Sequence, residues 1–272
     1  MKFENEQYDG EYEVCGIDID IDIKGELFNG LVYYPPASFK KPYPLILYFH
    51  SFPFTQSLQE IVRNYKYLLD MGYALIVFNF RGYGFSQGSI SIESQVLDAK
   101  MVMDFVKQML KHGIFDLDNI NILAHDFGAY IALLLCSKEK SIRSLLLLTP
   151  ILDVNRHVHD EEFLKVLYYI NRFYPGYMRG IQDVDNFVKI AKKELSKKAF
   201  QIENAIQKLK IKQFRIIIGE ADKITPLSEV NEIIQYSNIE PEILFIEGMD
   251  HEIMNDEDSE KINDQIKEFF KN

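Results

Sequence analysis

The sequence predicts an α/β protein: a mostly parallel, doubly wound sheet of eight strands with helices on both faces and one helical insertion. Three observations carry this. Short, nearly unbroken apolar runs recur along the chain, as in strands buried on both faces of a parallel sheet. Helical patterns lie between those runs, and strand-helix alternation over this length is the signature of a doubly wound sheet. The alternation fails in only one interval, between Pro150 and Lys212.

The elements follow in order. From Ile17 to Ile23 isoleucine and aspartate alternate strictly, so the isoleucines share one strand face and the aspartates the other, as in a half-solvated edge strand. A metal site from Asp18, Asp20 and Asp22 is the rival reading, but carboxylates in a row along one strand face do not converge on a cation. A second strand runs from Leu27 to Tyr34 and stops at Pro35-Pro36, where N–H donors run out. The runs Leu45 to His50, Ala74 to Asn79, Ile120 to Leu123, Leu145 to Leu148, Ile216 to Ile218 and Ile243 to Ile246 supply six more. Helices are expected over Leu58 to Leu69, Ser94 to Leu110, Ala129 to Ser137, Ser228 to Tyr236 and Ser259 to Phe270. The interval from 151 to 211 has helical periodicity, no strand pattern and many aromatics, and a structureless loop that long is unusual. It reads as a helical cap over the carboxyl edge of a core formed by residues 1–150 and 212–272.

Composition bounds the function. A length of 272 residues, 47% hydrophobic and 26% charged, suits one soluble α/β domain. The net charge of -11 argues against nucleic acid or an anionic membrane as partner, because the mean field repels both. Cys15 and Cys136 are the only cysteines, and Cys136, inside an apolar helix, reads as a small buried hydrophobe, so no disulfide framework is implied. The start, Met1-Lys2-Phe3-Glu4-Asn5-Glu6, has no apolar leader pattern, and no long uncharged apolar run marks a membrane span. The expectation is a cytoplasmic enzyme acting on a small molecule, with no cofactor and no metal. Composition is silent on oligomeric state.

The stretch Leu123-Ala124-His125-Asp126-Phe127-Gly128-Ala129-Tyr130 reads as a sharp turn from strand to helix carrying one exposed polar side chain, Asp126. It resembles a nucleophile elbow, whose G-x-S-x-G form lifts the middle residue above the sheet beside backbone N–H donors. Ala124 stands for the first Gly, and Asp126 for the Ser. A carboxylate is a nucleophile without a general base and suits tetrahedral carbon, whereas a Ser alkoxide suits acyl carbon. Asp222 follows one buried run within Gly219-Glu220-Ala221-Asp222, and His251 follows the last within Gly248-Met249-Asp250-His251. Loops after parallel strands open on the same sheet edge, so the three residues meet there.

The order nucleophile, acid, histidine is that of the α/β-hydrolase triad, and the chain resembles that superfamily from Leu27 to nearly its C-terminus. His50-Ser51-Phe52-Pro53 is similar to the family's H-G-x-P loop, and Phe80-Arg81-Gly82-Tyr83-Gly84-Phe85-Ser86 to its R-G-x-G-x-S turn. The resemblance implies an oxyanion hole from the Phe52 and Phe127 N–H groups. Ser51 replaces the usual Gly and either crowds that hole or adds a donor.

The elbow and the His50 loop resemble epoxide hydrolases and haloalkane dehalogenases, which use Asp. The amino-terminal strands, the Gly82-Tyr83-Gly84 turn and the Asp250-His251 pair look more like feruloyl and cinnamoyl esterases, which use Ser. Dehalogenases commonly hold the halide with a Trp after the nucleophile, and this chain has no Trp. For epoxide opening the resemblance assigns the acid to cap tyrosines, with Tyr168, Tyr169, Tyr174 and Tyr177 as candidates that also serve to pack the cap. His157, His159 and Asp160 read as a solvated surface rather than metal ligands. Arg81 orders its own turn, Glu220 and Asp153 are reserve acids for His251, and Asp250 is a solvated neighbour.

Three functions compete. In the first, Asp126 attacks an sp³ carbon to form an alkyl ester, and His251, oriented by Asp222, activates water against it. The second is a feruloyl-type carboxylesterase relative in which Asp has replaced Ser. The third is a hydrolase-fold binding protein without turnover.

Overall fold

Ten strands form a single sheet in the computed structural model, which describes residues 2–3, 7–20, 27–54, 56–253 and 255–271. In chain order they are β1 (Lys2–Phe3), β2 (Gln7–Asp9), β3 (Tyr12–Asp20), β4 (Leu27–Tyr33), β5 (Tyr43–Phe49), β6 (Ala74–Phe78), β7 (Phe115–His125), β8 (Ile142–Leu148), β9 (Gln213–Gly219) and β10 (Glu242–Ile246). Their order across the sheet is β1-β3-β4-β6-β5-β7-β8-β9-β10, with β2 also on β3. From β6 to β10 every pairing is parallel, while β4 is antiparallel to both β3 and β6. The eight predicted strands are thus β3 to β10.

The apolar runs became strands because helices cover both faces: Leu45, Ile46, Leu47, Leu75, Ile76, Leu145, Leu146 and Leu147 are all fully buried. The helices are α1 (Leu58–Tyr65), α2 (Tyr67–Asp70), α3 (Ile92–Leu110), α4 (Phe127–Cys136), α5 (Val154–His157), α6 (Glu161–Phe173), α7 (Val184–Leu195), α8 (Ile202–Ile206), α9 (Leu227–Ile234) and α10 (Asp256–Lys271). Capping residues set several starts. Ser57 accepts the Glu60 N–H while Glu60 accepts the Ser57 N–H, and Ser91 and Ser94 repeat the arrangement at α3.

Several expectations need correction. The Ile-Asp strand is not an edge: it starts at Tyr12, and β1 and β2 pair along its outer side. Ile21, Asp22 and Ile23 lie outside the described residues, as do Met1 and Glu4-Asn5-Glu6, and no cluster of three metal-ligating side chains occurs among the described ones. The single helix expected over 58–69 is two, joined at Lys66. β7 begins at Phe115, earlier than its apolar run, because Phe115 pairs with Tyr43 while the polar residues that follow point outward. β10 is a true edge strand with Phe245 exposed, so its apolar run is not buried on both faces.

Between β8 and β9 the chain holds α5 to α8 and two short 3₁₀ turns, with no strand among the described residues. This segment has two characters. From Met178 onward it is welded to the rest of the molecule: Gly180 exchanges backbone hydrogen bonds with Gly82 and Ile90, the Tyr130 hydroxyl donates to the Phe200 carbonyl, and Ile206 is fully buried. In α6, by contrast, Leu167 is the only buried side chain.

Candidate active site

The strand-to-helix turn after β7 places Asp126 at φ 53°, a backbone state that disfavours residues with a Cβ and costs about 1–3 kcal/mol where it is imposed. Surrounding bonds impose it. The Asp126 N–H donates to the Leu148 carbonyl at 3.0 Å, and its own carbonyl accepts the Ala129 and Ile151 N–H groups at 3.1 Å. Gly128 lets the helix press against the end of β5, since a Cβ there would lie 2.5 Å from the Phe49 carbonyl oxygen and 2.6 Å from that of His50. The small residues of the elbow motif therefore serve backbone approach.

His251 reaches the same edge from the loop after β10. A Cβ on Gly219 would sit 2.2 Å from the Met249 carbonyl oxygen, so glycine at the end of β9 is what lets the His251 loop cross it. Three buried side chains then meet in a line. His251 Nδ1 lies 2.9 Å from Asp222 Oδ2, and His251 Nε2 lies 3.3 Å from Asp126 Oδ1. Asp222 Oδ1 accepts the N–H groups of Ile224 and Thr225 at 2.9 and 2.7 Å, which fixes the carboxylate's direction.

The other Asp126 oxygen is also engaged: Oδ2 accepts the Phe52 N–H at 2.8 Å. No hydrogen bond joins that carboxylate to the Phe127 N–H among the described residues, although Phe127 opens α4 directly beside it. The Phe52 loop is anchored through His50, whose Nε2 accepts the Phe80 N–H at 3.1 Å. His50 Nδ1 must then carry the proton and donate to the Ser51 carbonyl, 2.8 Å away. Ser51 neither crowds the hole nor adds a donor to it, because its hydroxyl turns to the Pro53 carbonyl at 3.3 Å.

Electrostatics single out His251. Burial alone would lower its pKa, but hydrogen bonds and charge from Asp126 and Asp222 outweigh this and raise it from 6.5 to about 10. At neutral pH it is an imidazolium between two carboxylates. Burial drives His50 and His125 down to about 4, so both are neutral and neither competes for that proton. Beside His251, the Glu252 carboxyl is raised, by burial first.

Asp126 and His251 open into a cavity of about 590 Å³. Phe52 and Ile151 line its core side, Phe163, Val166 and Ile170 line its α6 side, and Arg156 and His157 project from α5. The four cap tyrosines are absent from that lining. Tyr168, Tyr169, Tyr174 and Tyr177 are 40–55% exposed, so the expectation of a tyrosine acid is corrected. The physical reason is rotation about α6: Phe163, Val166 and Ile170 share one stripe, which turns Tyr168 and Tyr169 away. Tyr168 donates to Asp185, Tyr169 packs on Phe173, and Tyr174 stacks on Tyr177.

The reserve acids do not reach His251. Asp153 caps α5 through the Arg156 N–H at 2.9 Å, and Glu220 accepts the Gly248 N–H at 3.3 Å. Asp250 is more than a solvated neighbour, since it accepts the His251 backbone N–H at 2.8 Å. Arg81 does order its turn, through Asp98 of α3, to which its Nε donates at 2.7 Å.

His157 also needs correction: it is buried in the cavity wall, not in a solvated surface. Its Nε2 lies 3.7 Å from Glu229 Oε1, and neither atom has a hydrogen-bond partner, while Arg156 pairs with the other Glu229 oxygen. His159 instead faces the Asn155 carbonyl, and Asp160 caps α6. The missed signal was periodic: His157 shares a stripe with Val154, and Glu229 with Ile233, so each polar residue sits on an apolar helix face.

A family model described as alpha/beta hydrolase fold matches residues 44–193. The lysophosphatidylserine lipase ABHD12 of Xenopus tropicalis is 34% identical over 140 residues, which are 50% of this chain and 34% of that lipase. The chain thus matches about a third of that relative's length. Among solved structures, Est1E from Butyrivibrio proteoclasticus with bound ferulic acid superposes with a TM-score of 0.69 at 19% identity, over 93% of this chain and 97% of that one. An acetyl xylan esterase from Paenibacillus sp. R4 gives 0.68 at 15% identity, over 98% and 87%. At such identities the structural likeness shows the fold alone.

Proposed function

This chain belongs to the alpha/beta hydrolase fold family, and from that premise we propose that it is a covalent hydrolase in which Asp126 captures a small electrophilic organic substrate, such as an epoxide, as an alkyl ester. One observation carries the reading: Asp126 Oδ2 accepts the Phe52 N–H while Oδ1 lies 3.3 Å from His251 Nε2, and both residues line the cavity. The carboxylate itself occupies the position in which a Ser hydrolase receives the substrate's carbonyl oxygen. An acyl substrate finds the Phe52 donor already engaged, and its attack by a carboxylate gives a mixed anhydride that readily reverts. A substrate attacked at tetrahedral carbon needs no hole in the first step.

The steps balance. Asp126 Oδ1 forms a bond to carbon, the carbon–oxygen bond of the epoxide breaks, and its electron pair stays on oxygen. That oxygen takes a proton from the His157 ring, which lines the α5 side of the cavity. Alkylation removes the Asp126 charge that helps hold the proton on His251, so the imidazolium releases it, replacing in sum the one His157 gave. Neutral His251, still oriented by Asp222, takes a proton from water as the oxygen attacks Asp126 Cγ. The oxyanion forms on Oδ2, where the Phe52 N–H already points. Collapse returns the carboxylate, the imidazolium and a diol.

The esterase reading rests on the resemblance of the amino-terminal strands, the Gly82-Tyr83-Gly84 turn and the Asp250-His251 pair and on the names of the relatives, and the binding-protein reading on the altered elbow. A paired experiment separates all three. His251→Ala should lower turnover of an epoxide by roughly 10²- to 10⁴-fold while accumulating one alkyl adduct per chain on Asp126, seen by intact-mass spectrometry. Absence of an adduct with a substrate the unaltered protein consumes would sink the covalent Asp126 mechanism. Asp126→Ser frees the Phe52 N–H and should create hydrolysis of short aryl esters. A folded Asp126→Ser protein inert on all of them, alongside an unaltered protein inert on epoxides and halides, would favour the binding protein.

A further inference from the structure

The outer face of α6 and the 3₁₀ turn after it (Pro175–Met178) carry a patch the Asp126 chemistry does not use. Tyr169 packs on Phe173 with centroids 4.9 Å apart and on Tyr174 at 6.1 Å, and Tyr174 stacks on Tyr177 at 5.8 Å. Phe85, which is 82% exposed, extends the patch, because Phe85, Tyr177 and Arg179 line one groove. Large rings left to solvent on one face mark an interaction surface rather than ordinary scatter. The buried side chain of α6 is Leu167, two residues before Tyr169 and so on another face of the helix.

The charge pattern identifies the partner. In a chain of net charge -11, residues 163–182 contain no Asp or Glu, and although Lys165 pairs with Glu162, Arg172 and Arg179 stand beside the aromatic rings. Arg172 lies 5.3 Å from the Phe173 ring centroid, and Arg179 lies 6.0 Å from that of Phe85. Tyrosine and phenylalanine rings interleaved with arginine suit a lipid–water boundary, where rings enter the headgroup layer and guanidinium groups meet phosphates. A two-fold pairing of this face with a second copy would instead set one basic patch against another. Val166 and Ile170 line the Asp126 cavity from the same helix, and Val166 is half exposed, so the patch borders the cavity's rim.

We infer that the aromatic, basic face of α6 and its following turn docks the protein on anionic lipid surfaces, with the mouth of the Asp126 cavity beside the headgroup layer. The net charge argues against such a partner, but the field near a surface is set within a Debye length, where this patch alone is close to the lipid. Docking gives amphiphilic substrates a short path from lipid into the cavity. The inference stands apart from the Asp126 mechanism, because binding is read without turnover.

The chain lacks Trp, so Phe173→Trp places a single reporter in the patch on a silent background. With vesicles of equal parts phosphatidylglycerol and phosphatidylcholine its emission should shift to shorter wavelength, and the protein should co-sediment with them. Arg172→Gln with Arg179→Gln in the reporter protein should weaken binding roughly thirtyfold, and so should pure phosphatidylcholine or high salt. Tyr169→Ser with Phe173→Ser, at exposed positions, should leave Tm unchanged and lower co-sedimentation affinity roughly tenfold or more. An emission spectrum unmoved by anionic vesicles overturns the proposal. So does equal affinity for pure phosphatidylcholine, or a shift that follows protein concentration without lipid and accompanies dimers in sedimentation velocity.

Discussion

The carboxyl edge of the sheet and helix α6 face one cavity, yet they hold their side chains by different means. At the edge, backbone geometry decides: Asp126, Asp222 and His251 are each fixed by a turn, a crossing glycine or N–H donors, and all three are buried. On α6, rotation about a helix axis decides, and most side chains are half exposed. Reacting groups placed by backbone tolerate little displacement. A helix face can present different residues to the cavity and to solvent without disturbing the strands beneath it.

The sharpest way to break this contrast is to alter the edge without touching a reacting group. In Gly219→Ala the new Cβ must push the Met249 carbonyl, 2.2 Å from its ideal position, and with it the loop carrying His251. We expect a stability loss of about 1–3 kcal/mol in denaturant unfolding. Turnover should fall roughly 10²-fold, since a displacement near 1 Å has that cost. A variant of full activity would show that the His251 loop adjusts freely, and that backbone placement at the edge is not decisive.

A smaller and selective effect is expected on the opposite wall. His157→Gln should lower epoxide turnover by roughly 10²-fold, as loss of a proton donor does. It should leave alkylation by a primary alkyl halide nearly unchanged, because a departing halide needs no proton. Equal losses on both substrates would make His157 a packing residue only.

The fold and the meeting of Asp126, Asp222 and His251 were legible because parallel strands deliver their following loops to one edge, whatever the distance in sequence. The occupant of the α6 wall was not. The resemblance to epoxide hydrolases drew attention to Tyr168, Tyr169, Tyr174 and Tyr177, whereas the 3.6-residue period puts Phe163, Val166 and Ile170 on one stripe and turns Tyr168 and Tyr169 off it. His157 escaped because it was read by residue type rather than by helix face. The carboxylate's hold on the Phe52 N–H was out of reach of any pattern, since it depends on one side-chain torsion.

The edge should also announce itself through pH. His251 has its pKa raised in the folded state from 6.5 to about 10 by Asp126 and Asp222, against the opposing effect of burial. For a raised histidine the stabilising contribution is complete below its unfolded pKa and fades as pH rises towards the folded one. Tm should therefore fall as pH climbs from about 6.5 to about 10. Asp126→Asn, which removes one of the two charges, should flatten that decline, and the His251 ring signals in NMR should titrate at lower pH. A decline of the same depth in Asp126→Asn would place its origin elsewhere in the molecule.

The smallest effect is expected from the tyrosines, and it tests the contrast most economically. Tyr→Phe at 168, 169, 174 or 177 deletes one hydroxyl and keeps the ring. At Tyr169, Tyr174 and Tyr177 the hydroxyl is remote from Asp126, because none of these residues lines its cavity. Tyr168 differs in donating to Asp185 between α6 and α7, but both partners are at the surface, where water competes for such a bond and its contribution is small. Epoxide turnover should stay within roughly twofold in each variant, since a proton donor in contact with the leaving oxygen would cost far more. Only Tyr168→Phe should lower Tm measurably. If one of the four instead depresses turnover by a hundredfold at constant Tm, α6 must rotate or close during the reaction to bring that hydroxyl inward. The helix face would then be the moving half of the site and His157 its resting-state neighbour, which reverses the division of labour between the two walls.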